Sequence, residues 1–239
     1  MVEAHGERIV KTFADELNHL STLVVQMSGF AEAQLDAAVQ AVLQRDIELA
    51  QTIVKGDDRL DEYDRQIEQE AIRLIALRQP VADDLRTVLS ALKIAGNIER
   101  IGDLAANIAK RAITISQLPV IRPTATIPRF GRLVQEVLKD VMDAFSQHDV
   151  DKAIEVWLRD QQLDDMHNSV FRQIMGYMVE DPGSITTCTH LLFMAKNLER
   201  IGDHATNIAE TVHYQVSGQR LGKLRPKGDA SSYAVVRGE

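Results

Sequence analysis

The chain has 239 residues, 45% of them hydrophobic and 26% charged, with a formal net charge of −8; that is one large domain or two ordinary ones, with enough apolar residues for a real core. The acid excess and the lack of any Lys/Arg run exclude a nucleic-acid binder that works by neutralising phosphates. A single cysteine, Cys188, excludes an internal disulfide and suits a reducing compartment.

The N-terminal MVEAHGERIVKTF lacks the apolar segment of a signal peptide. No stretch approaches the ~18 apolar residues of a membrane span. A cytoplasmic protein is therefore expected, reaching a membrane only through partners. Helix follows helix along the chain, with the six prolines marking boundaries. Helices are predicted over 6–45, 47–78 and 82–116, with Gln79-Pro80 as a turn. LPVIRPTATIP (118–128) reads as a linker. Further helices follow over 129–147, 150–179 and 184–216, with Asp181-Pro182-Gly183 as the second turn. Residues 219–239 read as a mobile tail.

Residues 97–109, NIERIGDLAANIA, return as NLERIGDHATNIA at 197–209, with ten of thirteen positions identical. In the first copy Ile94, Ile98, Ile101, Ala105, Ile108 and Ala112 step by four and three, the stripe of a helix facing a core. The second copy repeats it with Leu191, Met194, Leu198, Ile201, Ala205, Ile208 and Val212. The repeat unit is thus a whole domain. The fold class is all-α: two tandem antiparallel three-helix bundles related by internal duplication, over 5–117 and 129–218, giving an elongated molecule.

Each copy carries acids four residues apart, Glu99/Asp103 and Glu199/Asp203. Two more pairs, Asp57/Asp61 and Asp160/Asp164, lie on the preceding helices. Residues i and i+4 project from one helical face. Folding the first hairpin about Pro80 puts Asp57 level with Asp103 and Asp61 with Glu99. The second hairpin pairs Asp160 with Asp203 and Asp164 with Glu199. Each repeat should therefore gather four carboxylates, which raise one another's pKa or bind cations. All-oxygen donors suit magnesium, calcium, manganese or iron. Asn107 and Asn207 continue the stripe, and His204 points away from it. Gly102 and Gly202, costly inside helices, let a neighbouring helix or a metal cluster approach. The competing reading is a structural acid ladder neutralised by Arg100 and Arg200.

No Gly-rich phosphate loop or G-x-S-x-G is present. Cys188 and His190, two apart, face different ways on a helix. The enzymatic alternative is a di-iron carboxylate oxidase using Glu16/His19 and Glu210/His213. Those motifs fall at non-equivalent positions of the two repeats, away from the acid clusters. A phosphate sensor is a third reading, since bound metal would invert the acidic field. Trp157, the single tryptophan, reads as a core residue.

IERIGDLAANIAK (98–110), LERIGDHATNIAE (198–210) and QPVADDLRTVLSALKIAGNIERIGD (79–103) resemble the signature helices of the PhoU family. The resemblance covers residues 5–218. It implies two three-helix bundles and a non-enzymatic, cytoplasmic negative regulator of the phosphate-starvation response. Such proteins link the phosphate ABC transporter, through its ATPase, to a phosphate-sensing histidine kinase. It also implies metal clusters, iron or zinc, at E(D)xxxD motifs; manganese or magnesium is compatible with the same donors. Here the motifs map onto Asp57, Asp61, Glu99, Asp103, Asp160, Asp164, Glu199 and Asp203. Long amphipathic helices also suit a homodimer.

Overall fold

A computed structural model describes residues 2–222, with side chains from Phe13 onward. The expected tail beyond Gly222 lies outside the described residues. Helix α1 (Val2–Gln44) ends where Arg45 takes a left-handed conformation at φ 55°. Asp46 then caps α2 (Ile47–Lys55), its carboxylate accepting the Leu49 N–H at 2.9 Å. After Gly56 and Asp57 the chain continues as α3 (Asp58–Arg78), turns through left-handed Gln79, and rises as α4 (Ala82–Ile115). The second repeat reuses these devices. A 3₁₀ turn (Arg122–Ala125) leads into α5 (Thr126–Gln147), which ends at left-handed His148 (φ 54°). Asp149 caps α6 (Val150–Leu158), accepting the Lys152 N–H at 2.9 Å. Helices α7 (Asp160–Glu180) and α8 (Ile185–Ser217) follow, joined by a 3₁₀ turn at Pro182–Ser184.

Two expected helices differ from this. The stretches 47–78 and 150–179 are each two helices, not one. At Gly56 the N–H bonds to the Thr52 and Ile53 carbonyls, and the next bonds run three residues back, from Arg59 to Gly56 and Leu60 to Asp57. That tightened turn interrupts the α-helical ladder. At Arg159 the N–H bonds back to Glu155 and Val156 before α7 begins. Both breaks sit at acids, Asp57 and Asp160.

The first bundle is α1, α2–α3 and α4; the second is α5, α6–α7 and α8. They lie side by side, α4 on α8 and α1 on α5, and their apolar faces merge into one core. The α4–α8 seam is antiparallel. Lys93 stands over the Tyr214 ring at 5.9 Å, Asn97 meets His204, and Arg111 covers the Phe193 ring at 4.2 Å. Midway along this seam lie Ile101 and Ile201, both with no exposure. They are the same residue of the two repeats, so a pseudo-twofold axis passes between them. Each such isoleucine contributes about 1.5–3 kcal/mol by leaving water. At the other seam Gly131 admits α1: a Cβ there would stand 2.5 Å from Val39 Cγ2. The segment between the repeats is folded too, with Ile121, Pro123 and Ile127 buried.

Candidate metal centres at the hairpin acids

In the first repeat Asp57 sits at the α2–α3 break and Asp61 one turn further on. Glu99 and Asp103 face them from α4. Asp57, Glu99 and Asp103 are half-buried and Asp61 is exposed. Burial pushes the Asp57 carboxyl above the usual carboxylate range, and the charge of Asp103 adds to it, with Lys110 opposing. Burial also raises Glu99, followed by Asp103; Arg100 opposes, and Asp61 and Asp64 add further. Asp57 is therefore within the field of Asp103, and Glu99 within that of Asp61. Arg100 draws on the same acids from outside, its Nη1 donating to Asp103 Oδ2 at 3.1 Å and its Nε 3.3 Å from Glu99 Oε2.

The second repeat holds three of the equivalent acids deeper, while Asp203, like Asp103, is half-buried. Asp160, Asp164 and Glu199 are only 3%, 6% and 6% exposed. Lys196 Nζ donates to Glu199 Oε1 at 2.9 Å. The Thr206 hydroxyl lies 2.8 Å from the Gly202 carbonyl and 3.3 Å from Asp160 Oδ1. His167 and Asn168, also buried, share the α7 face of Asp160 and Asp164. The His167 ring lies between Phe130 and Phe171, each centroid 6.4 Å away. Asp64 and Arg65 stand at the same places in the first repeat. Sequence reasoning missed His167 and Asn168, although the spacing Asp160, Asp164, His167, Asn168 marks a single helical face; Thr206 lies on the acid stripe that the repeat itself displays. Asn107 is exposed. His204 Nδ1 lies 2.9 Å from Asn97 Oδ1, across the α4–α8 seam.

The glycines of the repeated motif seat leucines. A Cβ on Gly102 would stand 2.0 Å from Leu60 Cδ1, and one on Gly202 2.6 Å from Leu163 Cδ1. The neighbouring helix is what these glycines admit. Beside Gly102 lies a side chain that sequence reasoning also missed. Gln34 of α1 is 5% exposed, and neither atom of its amide has a hydrogen-bond partner among the described residues.

Among the described residues, no three His, Cys, Asp or Glu side chains converge as a ready-made coordination set. The donor chemistry nevertheless fits a hard cation. It consists of carboxylates that repel one another, and the buried Gln34 amide, unbonded among the described residues, lies against Gly56 and Gly102, the residues just before Asp57 and Asp103. The oxidase motifs are engaged elsewhere. Glu16 accepts from Arg78 Nε at 2.8 Å, and Glu210 from Trp157 Nε1 at 2.9 Å. Trp157 itself is half-buried against the core. Cys188 is buried with Sγ 3.4 Å from Ser184 Oγ, while His190 turns to Arg111 at 3.4 Å. No helix among the described residues is long and apolar enough to cross a membrane.

The PhoU domain model matches this chain twice, at residues 24–112 and 127–212. The chain belongs to the PhoU family. It is 50% identical over 227 residues to the phosphate-specific transport system accessory protein PhoU homolog of Caulobacter vibrioides, covering 95% of this chain and 99% of that one. The homolog of the same name from Rhizobium meliloti is 42% identical, with 97% of each chain covered. Among solved structures, PhoU from Pseudomonas aeruginosa superposes with a TM-score of 0.84 at 36% identity, over 87% of this chain and all of that one. The phosphate transport system regulatory protein PhoU from Streptococcus pneumoniae gives 0.82 at 28%, over 88% of this chain and all of that one. Both PhoU matches contain one full set of acids.

Proposed function

We propose that this PhoU-family chain is a cytoplasmic, non-enzymatic negative regulator of the phosphate-starvation response. It acts as an adaptor between the ATPase of a phosphate ABC transporter and a phosphate-sensing histidine kinase. The observation that carries this reading is 50% identity along nearly the whole length of a phosphate-specific transport system accessory protein. The di-iron oxidase alternative is disfavoured by the engagement of Glu16 with Arg78 and of Glu210 with Trp157.

In this reading Asp57, Asp61, Glu99 and Asp103 hold one cation site, and Asp160, Asp164, Glu199 and Asp203 the other. A bound cation supplies the positive charge that the repelling carboxylates lack. Iron or zinc is the first expectation and manganese or magnesium the second. The carboxylates' own part is to present oxygens from facing helices at the same depth, so that a cation shared between them would brace α3 against α4 and α7 against α8.

Two experiments test the two halves of the proposal. Purified chain is expected to co-elute with the transporter ATPase and with the kinase, and its deletion to leave a phosphate-starvation reporter on in phosphate-rich medium. A reporter that still shuts off would refute the regulatory role. Elemental mass spectrometry of untagged protein, prepared without chelator, is expected to show bound metal that the Asp103→Ala, Asp203→Ala double variant lacks. Metal-free protein in both would reduce the acids to a structural ladder.

A further inference from the structure

We infer that Gln34 is a further oxygen ligand of the first acid site, so that the chain has two non-equivalent cation sites. The first would take a hard divalent cation between the Gln34 amide oxygen, Asp57 and Asp103. This rests on the reading of the acids as cation sites given above.

Gln34 is a polar residue at a core position. The α1–α2 and α5–α6 caps, Asp46 and Asp149, align Gln34 with Val137 of the second repeat, which has no exposure. The fold therefore accepts an apolar side chain at this place. Burying an amide with both of its ends unbonded costs free energy that the valine does not. A side chain kept at such a cost calls for a ligand.

Its position indicates which ligand. Gln34 Nε2 lies 3.3 Å from where a Cβ of Gly56 would stand, and Oε1 3.4 Å from where that of Gly102 would stand. Gly56 immediately precedes Asp57, and Gly102 immediately precedes Asp103. The amide thus lies between the two glycines that directly precede Asp57 and Asp103 in the chain, one on each side of the hairpin. An amide carbonyl is a hard neutral donor of the kind calcium, magnesium and manganese accept. In the second repeat the neutral oxygen beside the acids comes from another direction. There Thr206 Oγ1 stands 3.3 Å from Asp160, where the first repeat has Ala106. One site draws its neutral oxygen from the outer helix α1, and the other from the signature helix α8.

The test is titration of Mn²⁺ into the chelator-treated full chain, read by calorimetry and by the melting temperature with and without the ion. Variants are Gln34→Val, Gln34→Glu and Asp103→Ala. Gln34→Val copies the second repeat, and its apo melting temperature is expected to match or exceed the wild type. Its affinity at one class of site should fall by about tenfold or more, with the other class unchanged. Gln34→Glu, which restores an oxygen donor, should bind at least as tightly as wild type. If Asp103→Ala loses Mn²⁺ while Gln34→Val keeps both classes unaltered, the amide is not a ligand and this inference alone falls. If wild type takes up no Mn²⁺, or Asp103→Ala takes up as much as wild type, this inference falls; the metal reading falls as well if elemental analysis of the same untreated chain shows no iron, zinc or manganese.

Discussion

Leu60 and Gly102 fit together so closely that a methyl group at 102 must displace the tip of the leucine. Leu60 is 1% exposed, and the added Cβ would lie 2.0 Å from its Cδ1. Gly102→Ala is expected to destabilise the chain by about 1–2 kcal/mol, overpacking outweighing the ~1 kcal/mol of helix propensity gained. Leu60→Ala in the same chain should make the pair less damaging than the sum of the two, as a denaturant double-mutant cycle would show. Asp57 carries a prediction of the opposite sign. Its carboxyl holds its proton more tightly folded than unfolded. Ionising it therefore costs stability, a cost absent below the ordinary carboxylate range and complete above the raised one. Asp57 makes no capping hydrogen bond, so Asp57→Asn removes the charge without removing a cap. In chelator at pH 7 it should raise the melting temperature by about 1–2 °C, with the gain gone near pH 3.

At the scale of elements, the joints repeat while their chemistry does not. Arg45 and His148 close α1 and α5 in the same left-handed conformation. His148→Gly should stabilise by about 1 kcal/mol, relieving a conformation that suits glycine. Arg45→Gly should destabilise instead. The Arg45 guanidinium donates to the Ser116 and Leu118 carbonyls at 2.7 and 2.6 Å, closing the C-terminal end of α4. Thermal melts of the two variants would separate them. These joints also show how far sequence carries. The long amphipathic stripes of α4 and α8 announce themselves through their period. The breaks at Gly56 and Arg159 do not, because a turn of one or two residues leaves the apolar spacing intact on both sides. The acids stood out because they occur twice. Gln34 and His167 did not, because a lone polar residue becomes notable only once packing buries it, and burial is set by helices far away in sequence.

For the molecule as a whole, the merged core means that neither repeat owns all of its apolar surface. Residues 1–121 or 122–222 expressed alone would expose the α4 or α8 face that carries Ile101 or Ile201. Each half is expected to self-associate or lose cooperative unfolding, whereas the full chain should melt in one transition. Size-exclusion chromatography and calorimetry of the three proteins would show it; two monomeric, cooperatively folding halves would mean that the seam is dispensable.

The pseudo-twofold axis at Ile101 and Ile201 has a consequence for how the protein can change over generations. Two separate copies of a single-repeat chain, paired about such an axis, would share every mutation, so their sites would stay identical. Joining the copies in one gene releases them from that constraint. Gln34 opposite Val137, Ala106 opposite Thr206 and Asp64 opposite His167 are differences that a pair of identical chains could not hold. Each half has kept the scaffold while its acids acquired different neighbours, which is how one inherited frame comes to offer two distinct chemical settings.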